Sequence, residues 1–262
     1  MKLGIVLEST GLPLRSAIAA SAKMGAAGLQ VDAAGELAVD RLGDTGRREF
    51  RNLLRSFSQE LAALHAPLRH GLDVAAHQQE RIEYVRAIMQ LAIDLGTRTV
   101  VVPCPKIPSE PESPRAATLR ETLRSLAAFG DRIGIALALE IGFDPAEAVR
   151  AYLAGFDTGS LKVTFDPANL LMHGHDPLAN LTPLTGLIAH VHARDARLSG
   201  LSRGLQEVPV GAGDIDWMAL TATLQVAGFN GFLTVDREQG EDRLADAIAG
   251  VKFLRRFTAL PS

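Results

Sequence analysis

Glu140, Asp166, His192 and Asp236 have the residue types and the placement to act together. Each falls at the end of an apolar run: IALALE, LKVTFD, IAHVHAR and GFLTVD. If these runs are neighbouring strands of one parallel sheet, their carboxyl ends converge at one mouth. Three carboxylates gathered there repel one another, and one is driven to protonate unless a cation compensates. With a divalent ion the cluster becomes an oxygen/nitrogen site suited to Mn²⁺, Mg²⁺, Co²⁺ or Zn²⁺. The stretch IAHVHARDARLSGLSRGLQEVPVGAGDIDW, residues 188–217, adds to this picture. Residues two apart on a strand share a face, so His190, His192 and Arg194 point the same way. Three polar side chains on one face of a buried strand are costly unless partners or a ligand meet them.

The elements that must carry these groups alternate along the chain. Short, β-branched or continuous apolar runs predict strands at Leu3–Glu8, Gly28–Ala33, Leu61–Ala66 and Thr97–Pro103. Four more follow at Ile135–Glu140, Leu161–Asp166, Ile188–Arg194 and Gly231–Asp236. Between them, helical spacing predicts helices at Leu14–Ala26, Asp44–Gln59, Val74–Leu95 and Arg115–Phe129. The second half continues with helices at Pro145–Leu153, Pro177–Thr185 (interrupted by Pro183), Trp217–Ala227 and Glu241–Phe257. Strands that read as continuous apolar runs, each followed by a helix, belong to a parallel sheet covered by helices. Eight such units in 262 residues fit a single-domain α/β protein, a (β/α)8 TIM barrel over 1–262, better than an open doubly wound sheet. No GxGxxG follows the first strand, which argues against dinucleotide binding.

Composition narrows the partners. A formal net charge of −3 argues against a nucleic-acid or membrane-surface binder. No run of 18 apolar residues and no signal peptide is found, so a cytoplasmic protein is expected. The single cysteine, Cys104, excludes an intramolecular disulfide and reads as a small, partly buried residue.

Four segments, LALE ending at Glu140, VTFDPANL around Asp166, HVHARDAR around His192, and VPVGAGDIDW followed by GFNGFLTVDRE, carry a likeness to a known family. Over essentially its whole length the chain resembles the xylose isomerase-like TIM barrels, often labelled sugar phosphate isomerase/epimerase. The resemblance implies four metal ligands, carried over to Glu140, Asp166, His192 and Asp236. It also implies proton abstraction next to the carbonyl of a small sugar or keto-polyol through an enediolate, with Glu140 and Asp236 as the bases. Two positions depart from the family pattern. Asp236 stands where the family usually has Glu, and Glu238, two residues on, is placed to substitute for it. Asn169 stands where several sugar epimerases of the family have a substrate-binding histidine. Loss of a hydroxyl after the same abstraction gives a dehydratase or lyase instead, and loss of catalysis a carbohydrate-binding barrel. Members of the family often form dimers or tetramers, so a homo-oligomer is an expectation of the resemblance.

The remaining polar groups have less specific readings. His65, Asn169, Arg197 and Glu238 are the candidate substrate contacts, with a capping role an equal reading of His65. His190 reads as a hydrogen-bonded core histidine, and His77 as a residue on an exposed helix face. His173 and His175 read as loop residues rather than a second metal pair, and Arg203 equally as a solvated loop charge or a contact for a sugar hydroxyl, carboxylate or phosphate. Gly211 and Gly213 either let backbone approach a ligand or shape the turn before the next helix.

Overall fold

In a computed structural model that describes residues 1–198 and 204–258, the alternating apolar runs close into a barrel. The first half comprises β1 (Lys2–Val6), α1 (Leu14–Met24), β2 (Gly28–Asp32), α2 (Asp44–Ser56), β3 (Glu60–His65), α3 (Gln78–Leu95), β4 (Thr99–Pro103) and α4 (Pro114–Ile133). Next come β5 (Ala136–Glu140), α5 (Ala146–Leu153), β6 (Leu161–Phe165), α6 (Pro167–Met172) and α7 (Pro177–Leu181). The chain continues with β7 (Ile188–Ala193), β8 (Asp195–Leu198), β9 (Leu205–Val208), α8 (Trp217–Val226), β10 (Phe232–Val235) and α9 (Arg243–Thr258). The barrel strands β1–β7 and β10 lie in sequence order, all parallel, with β10 closing the ring between β7 and β1. The fold is a single (β/α)8 TIM barrel, as the alternation predicts. No helix of the described residues is long and apolar enough to cross a membrane.

Burial explains why the strands read as continuous apolar runs. Outward residues such as Ile5, Leu29, Leu64, Val102, Leu139 and Phe165 pack against Ile18, Ile88, Leu119 and Leu123 of the helices in one core. A second, small apolar cluster of Ala63, Val101 and Ala138, with Ala189 against it, is separate from that core. Ala138 and Glu140 are two apart on β5 and share a face, so this alanine-rich cluster fills the lumen beneath the polar mouth.

Four local features differ from the sequence reading. β1 ends at Val6, and Leu7–Thr10 forms a 3₁₀ turn that carries Glu8 at the barrel rim. α3 begins at Gln78 rather than Val74. The short α6 was not expected, yet its signal is plain: Asp166 caps it by accepting from Asn169 N–H, and Pro167 starts its first turn. Beyond β7 the chain forms an antiparallel β8–β9 hairpin where an irregular loop is the sequence expectation.

Candidate active site at the barrel mouth

Glu140 is the last residue of β5, Asp166 follows β6 directly, and His192 lies near the end of β7. One ligand atom from each of the three lies within 4.8 Å of the other two. Their environments differ. Asp166 is fully buried, and burial pushes its carboxyl up to about 6 although Arg194 opposes the shift. Burial works against the charge on Glu140 too, but His192 beside it outweighs burial and holds Glu140 at about 2. The reciprocal effect of Glu140 overcomes burial at His192 and raises that imidazole to about 9.

His192 is oriented from behind. Its Nε2–H donates to Gln30 Oε1 at 2.9 Å, which leaves Nδ1 on the side of Glu140. Nδ1 is 3.6 Å from Glu140 Oε1, too long for a hydrogen bond, and is buried without a partner. A buried imidazole nitrogen without a partner, aimed at two carboxylates and held by an acceptor on its far side, is the arrangement a metal-ligating histidine needs. Glu140, Asp166 and His192 therefore fit a divalent cation.

Asp236 stands apart from this trio. It follows β10, accepts from Ser9 Oγ–H at 3.0 Å, and keeps its other oxygen 3.8 Å from Arg194 Nε. Arg194, only 6% exposed, lies among the carboxylates: Nη1 donates to Asp166 at 3.0 Å, and Nη2 to Glu238 at 3.0 Å and Glu207 at 3.2 Å. Glu207 also accepts from Arg237 at 2.9 Å and from Glu238 N–H at 3.0 Å, which links the β8–β9 hairpin to the end of β10. Glu238 is half exposed, and burial raises its carboxyl above the usual range.

The hairpin itself is organised by Asp195. Its carboxylate accepts from the backbone N–H groups of Ala196, Gly211, Gly213 and Ile215 and from Trp217 Nε1. Gly213 shapes this turn, because a Cβ there would fall on Asp195 Oδ1.

Across the mouth, strands β1–β3 supply a second polar wall. Asp32 and His65 are paired in register, and His65 Nδ1 meets Asp32 Oδ1 at 2.8 Å. Glu8 Oε1 accepts from Asp32 N–H at 2.9 Å. Glu8, Asp32, His65, Glu140, His192 and Asp236 are among the side chains around a cavity of about 220 Å³. That size, below the roughly 300–1,000 Å³ of sites for drug-sized ligands, favours a small molecule. Glu8 is open to the water of the mouth, yet the enclosing rim and the charge of Asp32 push its carboxyl up to about 7. In the unfolded chain the same group titrates near its ordinary 4.5. The folded protein therefore carries no penalty from Glu8 below that pH, and a growing one as pH rises through about 7. Glu8→Gln is expected to raise the melting temperature by about a degree or two at pH 8.5, with screening by water keeping the effect small, and by nothing at pH 4. An equal gap between variant and parent at both pH values contradicts this account.

The other sequence-selected residues lie elsewhere. Asn169 donates its backbone N–H to the capping Asp166 and its Nδ2–H to Ile141 O, while Arg197 projects from β8 and pairs with Asp214 at 3.8 Å. Neither is among the side chains lining the mouth cavity. His190 is the expected core histidine: Nε2–H donates to Thr234 Oγ1 at 2.8 Å, whose own proton goes to Val191 O, and burial keeps the ring neutral. His173 Nδ1 meets Asn169 O and His175 Nε2 meets Phe143 O, both on the exposed side. His77 is exposed but precedes α3 in a left-handed conformation rather than lying on its face. Arg203 lies outside the described residues.

Sequence reasoning missed Gln30, Ser9 and Glu207. Gln30 carried a usable signal, a polar side chain in the middle of the apolar run GLQVDA. Ser9 and Glu207 carried none, since each lies in a stretch that reads as ordinary turn or loop.

A model of the xylose isomerase-like TIM barrel matches residues 18–257. An inosose dehydratase of Lacticaseibacillus casei is 29% identical over 97 residues, a match that spans 32% of either chain. Among solved structures, a xylose isomerase domain protein of Planctomyces limnophilus superposes with a TM-score of 0.79 at 21% identity, covering 90% of this chain and 91% of that one. A 3-keto-D-glucoside 4-epimerase of E. coli superposes with a TM-score of 0.78 at 17% identity, covering 98% and 99%. At such identities the structural likeness speaks for the fold, while the family match spans nearly the whole chain. The chain belongs to the xylose isomerase-like TIM barrel family.

Proposed function

We propose that the protein is a divalent-metal-dependent isomerase or epimerase of a small keto-sugar or keto-polyol, acting by proton removal next to the substrate's carbonyl. The observation that carries this reading is the Glu140–Asp166–His192 trio, with its unpartnered Nδ1, of which Glu140 and His192 line a small polar cavity. The three residues would hold Mn²⁺, Mg²⁺, Co²⁺ or Zn²⁺, which when bound supplies a Lewis acid for the carbonyl oxygen.

The protein's own groups supply the rest. Glu140 is ionised at neutral pH and is the base that takes the proton. Asp236 or Glu238 returns it, to the opposite face for epimerisation or to the adjacent carbon for isomerisation. Glu238, raised by burial, holds a proton more readily than Glu140 does, and such a division between two carboxyls suits an acid and a base. Gln30 fixes the His192 ring, and the alanine-rich lumen closes the floor against water. His65, backed by Asp32, and Glu238 are placed to bind substrate hydroxyls.

The test is incubation of the protein with Mn²⁺ and a panel of ketoses, inososes and oxidised glycosides in D₂O. The expected result is one deuterium per turnover at a carbon next to the carbonyl, in a product of unchanged composition. A product lighter by water supports the second reading, a dehydratase, which the inosose dehydratase match favours. Absence of exchange across the panel, with no Mn²⁺ bound, refutes both.

A further inference from the structure

Arg194 brings a positive charge to the place where the proposed function needs a divalent ion. Its guanidinium meets four carboxylates from three places in the fold: Asp166 after β6, Glu207 on β9, and Asp236 and Glu238 after β10. Three of these side chains are at most 10% exposed, so leaving them unpaired would be costly. Both oxygens of Asp166 are already engaged, Oδ1 by Asn169 N–H and Oδ2 by Arg194. An ion drawn to Asp166 must therefore share Oδ1 with the Asn169 N–H, or share Oδ2 with the guanidinium or displace it. Asp236 is likewise held towards Ser9 and Arg194 and stands outside the Glu140–Asp166–His192 group. Within that trio His192 Nδ1 is buried without a hydrogen-bond partner.

We propose that Arg194 is a built-in counter-cation that competes with the divalent ion for the carboxylates at the mouth. The site then stays assembled when metal-free, and the ion binds reversibly rather than as a permanent structural part. This inference rests on the metal-dependent reading above. Arginine is required for the role because its planar fork holds several carboxylates at once, which the point charge of lysine cannot do. With the guanidinium gone, Asp166, Asp236 and Glu238 lose this cation and gain more from the ion, while Glu207 keeps its pairing with Arg237. Metal-free stability and metal affinity therefore move in opposite directions.

The test uses the full chain and its Arg194→Met and Arg194→Lys variants, stripped with chelator and titrated with MnCl₂ by calorimetry. Melting curves with and without Mn²⁺ accompany the titrations. The expected result is about tenfold tighter Mn²⁺ binding by Arg194→Met, the order of change expected when a repelling charge close to the ion is removed. This variant also melts lower without the ion and gains more from it than the parent does. Arg194→Lys falls between the two. Should Arg194→Met fail to fold without metal, Arg194→Lys alone decides the matter. Parental or weaker Mn²⁺ affinity in a variant that folds overturns the role of Arg194 while leaving the metal site intact. Failure of the parent and both variants to bind Mn²⁺ at millimolar concentration overturns the metal-dependent reading itself, and this inference with it.

Discussion

Glu140→Gln is expected to slow solvent-deuterium uptake at the substrate carbon by roughly 10²–10⁴-fold, the contribution typical of a positioned general base. The replacement is nearly isosteric and keeps one acceptor oxygen, but it cannot take a proton. Two losses are combined in this variant, and they separate by measurement. If Glu140 serves only as a metal ligand, saturating Mn²⁺ restores exchange, because weakened binding is overcome by mass action. If Glu140 is the base, exchange stays low at every Mn²⁺ concentration. There is a third signature in the ring beside it. Glu140 is the main influence that keeps the His192 proton in place against burial, so the neutral amide should let that proton go at lower pH. The His192 imidazole, raised to about 9 in the parent, is expected to titrate well below that value in the metal-free variant, as read by NMR of the ring protons. Full exchange in Glu140→Gln at saturating metal removes the base assignment.

The contrast between Glu140 and Asp236 shows what the sequence reveals about such a site and what it withholds. Strand ends are legible because burial on both sides forces continuous apolar runs, and the run stops where the polar mouth begins. IALALE therefore locates Glu140 to the residue, and IAHVHAR locates His192. Asp236 is found by the same rule, but its hydrogen bond to Ser9 is set by a turn more than 200 residues away, where the chain closes on itself. Nothing near either residue announces that pairing. Arg194 is a similar case. The alternation HVHAR puts it on the face of the two histidines, which is correct, yet its partners Asp166, Glu207 and Glu238 come from three other elements. The hairpin after β7 was hidden because what organises it is a side chain, Asp195, rather than a hydrophobic period. α6 was hidden only by its brevity, since its cap and its proline were both in view.

Asp195→Ala is expected to be the most destabilising of the substitutions considered, at about 4 kcal/mol. Asp195 is 1% exposed and accepts five N–H groups. The donors are not equally vulnerable. Gly211 is exposed and Gly213 partly so, and both amides can turn to water once the carboxylate is gone. Ala196 N–H, Ile215 N–H and Trp217 Nε1 belong to buried residues, and each stranded donor costs about 1–3 kcal/mol. The Ile215 bond is long at 3.4 Å and contributes least, so the estimate rests on Ala196 and Trp217. For a chain of this size 4 kcal/mol lowers the melting temperature by about 8–16 °C. Asp195→Asn is expected to recover only part of this, because an amide offers one acceptor oxygen where the carboxylate uses both. Gly213→Ala reaches the same turn from the other side: its Cβ must push Asp195 Oδ1 away, so it should destabilise in the same direction by a smaller amount. If the two changes act through one contact, the double variant loses much less than the sum of the single losses. Strict additivity in denaturant titrations, or a loss below about 1 kcal/mol in Asp195→Ala, removes Asp195 as the organiser of the hairpin. The consequence for the site follows from chain continuity. Arg194 precedes Asp195 and Glu207 ends the same hairpin, so the anchor of the turn also sets where the guanidinium meets its carboxylates.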